Sequence, residues 1–292
     1  MHIGIVCAAL AYALWGLFPL YFRELAHVPA SEILLHRIVW SLAFVLVLMA
    51  ARRQWAWLAT TLHRPKVIAA FTASALLLSA NWLTYIWAVT NGHVIDASLG
   101  YFINPLINVL LGRLVLHERL RPVQWAAVAL AGAAVLWLAL GVGRVPWIAL
   151  MLAGTFGSYG LLRKIAPLGS LEGLTLETLL LAPLAIVAIG VLQAQGASHF
   201  PGDSTLTTLL LIGAGPVTAI PLLLFAVGAQ RLRMSTLGLL QYIGPTLQLA
   251  LGVWLFGEPF EGARLAGFAL IWVALAIYSL DSWRATAAQR AA

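Results

Sequence analysis

The sequence predicts an all-α integral membrane protein with ten transmembrane helices, arranged as two inverted five-helix repeats. Three observations lead to this prediction: a low share of charged residues, a series of apolar segments, and a motif that occurs twice. The 292 residues are 62% hydrophobic and 9% charged, with a mean hydropathy of +0.94. Soluble proteins are about 25% charged, so most of the outer surface must face lipid.

A membrane-spanning helix needs about 20 predominantly apolar residues. Ten such segments can be drawn, at residues 3–22, 33–51, 67–90, 94–115, 123–142, 146–162, 173–193, 206–229, 234–256 and 263–281. The connections between them are too short to hold a soluble domain. We interpret the first segment as a retained helix, because it lacks the basic stretch and the small-residue cleavage site of a signal peptide.

The repeated motif is Pro-x2-[Asn/Gln]-x3-Gly-x5-Glu, and every member of its second copy follows the first at one constant offset in residue number. Its members are Pro105, Asn108, Gly112 and Glu118, with the counterparts Pro245, Gln248, Gly252 and Glu258. Internal repetition at a fixed offset indicates a duplicated unit. We therefore divide one membrane domain into repeats at 1–142 and 143–292. Since five helices is an odd number, the second copy should enter the membrane upside down.

The basic residues predict the orientation. If the N-terminus is inside, most of the 17 Lys and Arg residues fall on the cytoplasmic side, and only Arg23, Arg144 and Arg264 face out. Cytoplasmic loops normally carry this excess. We therefore expect a multi-pass protein of the inner (plasma) membrane with both termini in the cytoplasm.

The same distribution explains the net charge of +7 without a nucleic-acid partner. The single cysteine, Cys7, excludes an intramolecular disulfide and a thiolate cluster. The histidines show no ligand spacing, so we expect no metal and no cofactor. We find neither a phosphate-binding loop with its lysine nor a nucleophile with a base in register, so we expect no enzyme.

Seven short motifs follow one another along the chain. They begin at Ala13, Glu32, Asn81, Ser98, Gly157, Gly173 and Leu239, and include Asn81-Trp, Ser98-Leu-Gly-Tyr-Phe-Ile-Asn-Pro-Leu and Leu239-Leu-Gln-Tyr-Ile-Gly-Pro. In this order they resemble the RarD branch of the EamA-type transporters, within the drug/metabolite transporter superfamily, over essentially the whole chain. The resemblance implies a permease whose central cavity is lined mainly by the first, third and fourth helices of each half. It does not imply a particular substrate.

Polar stripes on the fourth and ninth predicted helices are candidates for substrate contact. Tyr101, Asn104 and Asn108 share one helical face, and Gln241 and Gln248 are counterparts in the second repeat. Pro105 and Pro245 leave the carbonyls of Tyr101 and Gln241 without their intrahelical donors, which is tolerated where the backbone is buried in protein or lines a cavity. The alternative is hydrogen bonding between helices, which suits Asn108 and Gln248 at least as well.

Aromatic residues on the first, third and sixth helices extend this set. Pro19 should free the carbonyl of Trp15 and kink the first helix. Together, the candidate substrate-binding residues are Trp15, Asn81, Tyr85, Tyr101, Asn104, Tyr159, Gln241 and Tyr242. An aromatic cavity with a few amides suits a zwitterionic or amphipathic molecule. The alternative for tryptophans is a place in the interfacial belts.

Arg37 and Glu177 are charged residues within apolar segments, and the offset of the repeated motif also relates these two positions. A charge at the bilayer centre costs about 2.5–3.5 kcal/mol on insertion scales, so each should be paired, hydrated or functional. Arg37 could bind a substrate carboxylate, and Glu177 could carry a coupling proton. Alternatively, both are structural. We name them as candidate gating or coupling residues, without assuming a direct ion pair between them.

Two further features have structural interpretations. Glu118 and Glu258 end the fourth and ninth helices, where a carboxylate opposes the helix dipole, so we expect each to fasten a helical hairpin with Arg121 or Arg264. Gly132 and Gly267 could form dimer contacts, although lipid contact explains them equally well. The oligomeric state therefore stays open between monomer and homodimer.

These observations favour a secondary transporter that exports a small organic metabolite, an amino acid or related compound, by alternating access, with protons as a possible coupling ion. An exporter of hydrophobic drugs is the first alternative. A membrane binding protein that does not transport is the second, and the paired stripes with freed carbonyls argue against it.

Overall fold

The structure is a computed structural model, and it describes residues 2–53, 55–115, 121–141, 145–165, 167–201, 204–231 and 240–291. Every regular element in these ranges is a helix. In chain order they are α1 (His2–Gly16), α2 (Phe18–Glu24), α3 (Ala30–Arg52), α4 (Ala56–Leu62), α5 (Pro65–Thr90), α6 (Val94–Val115), α7 (Pro122–Gly141), α8 (Trp147–Ile165), α9 (Ser170–Ala194), α10 (Thr205–Arg231), α11 (Ile243–Ala250) with a π-helical turn (Leu251–Leu255), and α12 (Ala263–Ala291).

The helices have the length and composition of membrane spans. Six stretches in the described ranges are long and apolar enough to cross a bilayer: Ile3–Glu24, Ala30–Arg52, Pro65–Thr90, Leu171–Ala194, Thr205–Phe225 and Ala263–Asp281. Pro122–Leu138 and Ile243–Leu255 are shorter apolar helices. Large apolar side chains such as Leu140, Leu184 and Trp254 are exposed. Together these features identify an all-helical, multi-pass membrane protein.

In the described ranges the predicted segments lie in helices, apart from Leu17, Tyr242 and single residues at segment ends. The largest difference is at the C-terminus, where α12 runs to Ala291 and not to residue 281. The ninth predicted segment, 234–256, can be compared only from residue 240, because residues 232–239 lie outside the described ranges.

The first span breaks between α1 and α2 at Leu17, as the proline at position 19 predicts. The Trp15 carbonyl is not left unsatisfied, because the Gln248 side chain of α11 donates to it from Nε2 at 3.1 Å. The close approach depends on Gly16, where a Cβ would lie 2.8 Å from Leu247 Cβ. Gln248 therefore joins two helices, in agreement with the structural interpretation of this residue.

Helices of the N-terminal half (1–142) pack mainly on helices of the C-terminal half (143–292). The contacting pairs are α1 with α10 and α11, α3 with α9 and α10, α5 with α8 and α9, α6 with α8 and α11, and α7 with α12. A buried apolar cluster lies between α6, α7 and α12, and a second one surrounds α2, α5 and the start of α8.

The expectation about Gly267 changes with this packing. A Cβ on Gly267 would overlap Leu138 of α7, so Gly267 serves contact within the chain and is not available for a dimer. At Gly132, in contrast, no described atom outside its own helix backbone lies within 4 Å of the would-be Cβ.

Glu258 does not fasten a hairpin with Arg264. It accepts hydrogen bonds from the backbone N–H groups of Val94 and Ile95, at 2.7 and 2.9 Å, while Arg264 lies 3.7 Å from Asp96 and donates to the Pro259 carbonyl. The favourable site for a carboxylate is the N-terminus of a helix, and here that helix belongs to the other half. Glu118 lies outside the described residues.

Candidate functional site

Arg37 lies on α3 with 3% of its surface exposed. Its Nε donates to Oγ1 of Thr218 on α10 at 2.6 Å, and that hydroxyl in turn donates to the Ala214 carbonyl. The two helices come this close because residue 215 is glycine, where a Cβ would overlap the backbone of Trp40. The glycine thus brings a hydroxyl acceptor to the buried guanidinium.

Aromatic rings enclose the Arg37 guanidinium. Its central carbon lies 4.1 Å from the centroid of Trp82, 5.4 Å from Phe22 and 5.5 Å from Phe18. A cation over an aromatic face is attracted by about 2 kcal/mol when water is excluded. The rings therefore offset part of the free-energy cost of desolvating Arg37, but they do not neutralise its charge.

Tyrosine side chains also lie near the Arg37 guanidinium. Tyr21, Tyr85 and Tyr101 are near enough to Arg37 to interact with it electrostatically, and the rings of Tyr85 and Tyr101 are 5.8 Å apart. Tyr101 donates to Oδ1 of Asn81 at 3.4 Å. Tyr21 donates to the Leu210 carbonyl. Among the three phenols, therefore, only Tyr85 has a buried hydroxyl without a partner in the described ranges, and it could donate to a bound oxygen atom.

The Arg37 site lacks a negative charge in the part of the chain that the structure describes. No carboxylate of these residues forms an ion pair with Arg37, and both its Nη1 and the hydroxyl of Tyr85 are buried without a hydrogen-bond partner. A buried unpaired charge is costly, and a carboxylate matches the planar guanidinium well. This geometry can therefore bind an anionic group.

Glu177 has a different environment on α9, where 1% of its surface is exposed. Ser74 of α5 donates to its Oε1 at 2.6 Å, and Nη1 of Arg163 on α8 lies 3.8 Å from the same oxygen. Tyr159 also interacts with the carboxylate, while Oε2 lacks a partner that satisfies hydrogen-bond geometry among the described residues. Arg37 and Glu177 therefore have separate partners.

A row of aromatic rings runs from one charged residue toward the other. Tyr101 packs edge-on against Phe156 with centroids 6.0 Å apart, and Phe156 is 5.9 Å from Tyr159. Three candidate residues, Tyr85, Tyr101 and Tyr159, thus lie along one aromatic surface that begins near Arg37 and ends at Glu177.

The amides among the candidates differ in their use. Asn81 donates to the Leu152 carbonyl at 3.1 Å and to Thr155 at 3.0 Å, so its amide joins α5 to α8. Asn104 is 1% exposed, and neither its nitrogen nor its oxygen has a partner in the described ranges. Its amide is free for another group. The side chain of Asn108 lies outside the described residues.

The remaining candidates are spread over other parts of the molecule. Trp15 packs against Tyr12 and Phe225, with centroids 5.6 and 5.7 Å away. Tyr242 stacks on Phe102 and belongs to the cluster of α6, α7 and α12, so the structure does not bring it to Arg37. Gln241 is half-buried.

Several residues of the two charged sites were not candidates from the sequence. They are Phe18, Tyr21, Phe22, Ser74, Trp82, Arg163 and Thr218. Ser and Thr within apolar helices often bond only their own backbone, so Ser74 and Thr218 carry no distinctive signal. Arg163 could have been suspected, since it follows the apolar part of α8 closely.

Comparison with known proteins agrees with this architecture. Residues 2–140 match the model of the EamA-like transporter family. A crystal structure that is 22% identical covers 95% of this chain and 97% of its own, with a TM-score of 0.61, which supports the fold alone.

Relatives align over nearly the whole chain. An uncharacterized transporter of Pseudomonas aeruginosa is 49% identical, with 96% of this chain and 94% of the relative covered. Protein RarD of Escherichia coli is 46% identical with the same coverage. A chloramphenicol-sensitive protein RarD of Pseudomonas aeruginosa is 32% identical, with 96% and 95% covered. The chain therefore belongs to the EamA-like transporter family and is a RarD-type member of it.

Proposed function

We propose that the protein is a secondary transporter that exports a small organic metabolite with an acidic group, an amino acid or related compound, across the inner membrane. The observation that carries this proposal is the buried Arg37 guanidinium, with an unpartnered Nη1 and no paired carboxylate among the described residues. A ligand carboxylate would supply the missing charge and acceptor. The Tyr85 hydroxyl, which is buried without a partner among the described residues, would donate to that carboxylate and orient it.

Alternating access between two inverted repeats, 1–142 and 143–292, is the mechanism that fits this site. Helix contacts that recur at equivalent positions support it: α1 with α10 matches α8 with α5, and α6 with α8 matches α11 with α1. We propose ten spans with both termini in the cytoplasm, on the distribution of Lys and Arg. Membership of a transporter family implies that the chain is not an enzyme.

Proton coupling through Glu177 is part of the proposal. Its Oε2 lacks a partner with hydrogen-bond geometry among the described residues, and its charge is only partly balanced by Arg163 at 3.8 Å. A buried carboxylate of this kind can exchange a proton as its surroundings change. We expect Glu177→Gln to retain ligand binding and to lose its dependence on a pH gradient, measured as efflux from preloaded vesicles.

The decisive experiment is a thermal-shift screen with pairs of ligands that differ only in the carboxylate, such as an amino acid and its primary amide. Ligands that bind the native state raise its apparent melting temperature by mass action. We expect the acids to stabilise the wild type and to lose this effect in Arg37→Gln. Arg52→Gln changes an exposed arginine on the same helix and serves as the matched control.

If the acids stabilise Arg37→Gln as strongly as the wild type, Arg37 does not bind the substrate. Efflux and uptake of the stabilising compounds, measured in cells with and without the protein, then test the direction. Faster uptake without faster efflux would contradict export.

Export of apolar drugs is the second candidate function. The aromatic surface of Tyr101, Phe156 and Tyr159 favours it, and one relative is named a chloramphenicol-sensitive protein. In this case neutral aromatic compounds, with chloramphenicol as the first probe, should stabilise the wild type and Arg37→Gln equally.

A further inference from the structure

One end of the molecule holds several polar contacts between the N-terminal and C-terminal halves. It carries the connections near residues 25–29, 91–93, 195–201 and 256–262, and we call it the latch end. Its contacts include His27 with Thr207 at 3.0 Å, Arg264 with Asp96 at 3.7 Å, and Arg23 over the ring of Phe256 at 4.1 Å. Two buried glutamates make the most extensive contacts in this set.

Glu258 belongs to the C-terminal half and binds the N-terminus of α6 in the other half. Its two oxygens accept from Val94 and Ile95, and 9% of its surface is exposed. Each N–H would otherwise be one of the unpaired donors in the first turn of a helix. Separation of the halves at this end would break both bonds together.

Glu32 belongs to the N-terminal half and binds the connection between α9 and α10. Its Oε1 accepts from the Ser198 hydroxyl at 2.9 Å and the His199 backbone N–H at 2.7 Å, while Oε2 is 2.7 Å from the His199 ring. It is 1% exposed. The two glutamates thus cross between the halves in opposite directions.

The repeat gives Glu32 a counterpart in different circumstances. Glu172 is related to Glu32 by the offset of the repeated motif and, like Glu32, is the third residue of its helix. It accepts from the backbone N–H of Gly169 at 2.8 Å, so its carboxylate caps the first turn of its own helix in the way that the glutamate of a capping box does. Glu32 cannot do this, because the residue equivalent to Gly169 is Pro29, which has no N–H.

We propose that Glu32 and Glu258 are gating residues that hold the latch end closed, and that Glu172 engages the other half at the opposite end when the latch end opens. The inference rests on the proposed alternating-access function. In the open state Glu32 and Glu258 are released into water, and Glu172 leaves Gly169 for the connection between α3 and α5. That connection is the counterpart of the one that Glu32 now binds.

The difference between Pro29 and Gly169 determines which of the two conformations is favoured in the absence of substrate. A released Glu172 finds a backbone donor in its own first turn, whereas a released Glu32 finds none at residue 29. Closure therefore gives Glu32 backbone and side-chain donors that it lacks when open, while Glu172 loses a local bond when it engages. Both effects favour the conformation that is closed at the latch end.

Distances between spin labels test this proposal without a substrate. In a Cys7→Ser background, one pair at Asn91 and Glu261 spans the latch end, and another at Arg52 and Pro167 spans the opposite end; all four residues are exposed. In Glu32→Ala with Glu258→Ala, we expect the open population at the latch end to rise about tenfold or more. The opposite pair should shorten in the same molecules.

Glu24→Ala is the matched control, because it removes an exposed carboxylate at the same end and should leave both distances unchanged. Pro29→Ala and Gly169→Pro keep every glutamate. Pro29→Ala gives Glu32 a local donor and should favour opening of the latch end. Gly169→Pro removes the local donor of Glu172 and should favour closing of the opposite end.

The proposal is overturned if the latch-end distance is unchanged in both the double variant and Pro29→Ala, or if both ends lengthen together. Should the double variant fail to fold, Pro29→Ala and Gly169→Pro decide the question alone. Failure of the proposed function looks different: the reciprocal distance changes would appear, but no compound would bind or move.

Discussion

Arg37 and Glu177 occupy positions that the offset of the repeated motif relates, and their surroundings differ in one respect. Each forms a 2.6 Å hydrogen bond with a hydroxyl group on the third span of the opposite half. Arg37 donates to Thr218, and Glu177 accepts from Ser74. Glu177 also has a counter-ion in Arg163. Arg37 has no counter-ion among the described residues, and aromatic rings surround its guanidinium instead.

Glu177 thus has a counter-ion within the chain, whereas Arg37 has none among the described residues and its charge is left for a ligand. Removing one partner of a buried ion pair leaves the other charge uncompensated, whereas removing a lone buried charge leaves no such residue behind. Substitutions at the two positions should therefore differ in their effect on stability, although both residues are almost fully buried.

The largest expected effect is the loss of stability in Glu177→Leu. Arg163 would then lie partly buried without its carboxylate, at a cost of about 3 kcal/mol in the free energy of unfolding. Arg37→Leu should leave stability unchanged or raise it. Unfolding in detergent, followed by tryptophan fluorescence, measures both. Equal losses in the two variants would mean that Arg37 is also structural.

A double substitution sharpens the comparison within the Glu177 site. Arg163→Leu with Glu177→Leu removes both charges, so it should be more stable than the sum of the single effects by about 2 kcal/mol. If the two single effects add exactly in the same unfolding assay, Arg163 and Glu177 do not stabilise each other at their separation of 3.8 Å.

The two hydroxyls should differ in what they support. Ser74→Ala should lower stability by about 1.5 kcal/mol, because it removes a hydrogen bond to a charged acceptor. Thr218→Val removes the acceptor of the Arg37 Nε and frees that side chain to move, so it should weaken acid binding about tenfold in addition to a loss of stability similar to that of Ser74→Ala. Ligand titrations and unfolding curves of both variants test this. Weaker acid binding in Ser74→Ala but not in Thr218→Val would mean that the Glu177 site, and not the Arg37 site, binds the acid.

The smallest expected effect concerns pH at the latch end. Burial raises the pKa of the Glu258 carboxyl above its ordinary value of 4.5, while the Ile95 and Val94 N–H groups and Arg264 act to lower it and Asp96 to raise it. The closed state thus binds this proton more tightly than a water-exposed Glu258 would. As the pH falls from neutrality toward 4.5, closure should increase slightly through Glu258.

The Asn91–Glu261 label pair measures this closure. His93 lies 3.5 Å from Asp96 at the same end, so the change should be compared with that in His93→Asn. Opening on acidification in both proteins would contradict the expected sign.

The sequence alone predicts the helices well and the site only in part. Apolar length defines the spans, and Pro19 predicts the break at Leu17, because both depend on local chemistry. The repeat identifies Arg37 and Glu177 as a pair. Their partners could not be predicted, since Thr218 and Ser74 are separated from them by 181 and 103 residues and resemble any hydroxyl in an apolar helix.

Glu258 illustrates the same limit at a helix end. A carboxylate at the C-terminus of its own helix is unfavourable, because it opposes the helix dipole, so Glu258 is expected to have a partner elsewhere. The nearest cation in the sequence is Arg264, but the bonds come from Val94 and Ile95. Which helix N-terminus lies beside a given carboxylate is a property of the packing of whole helices, and no local pattern contains it.

The bond from Gln248 to the Trp15 carbonyl has a mechanical consequence. The break between α1 and α2 is a natural place for the first span to bend, and the group that satisfies it there comes from the opposite half. The angle between α1 and α2 at Leu17 therefore cannot change unless the hydrogen bond from Gln248 of α11 shifts or breaks. In the alternating access that we propose, a rotation of one half would therefore change the angle of the first span through this bond.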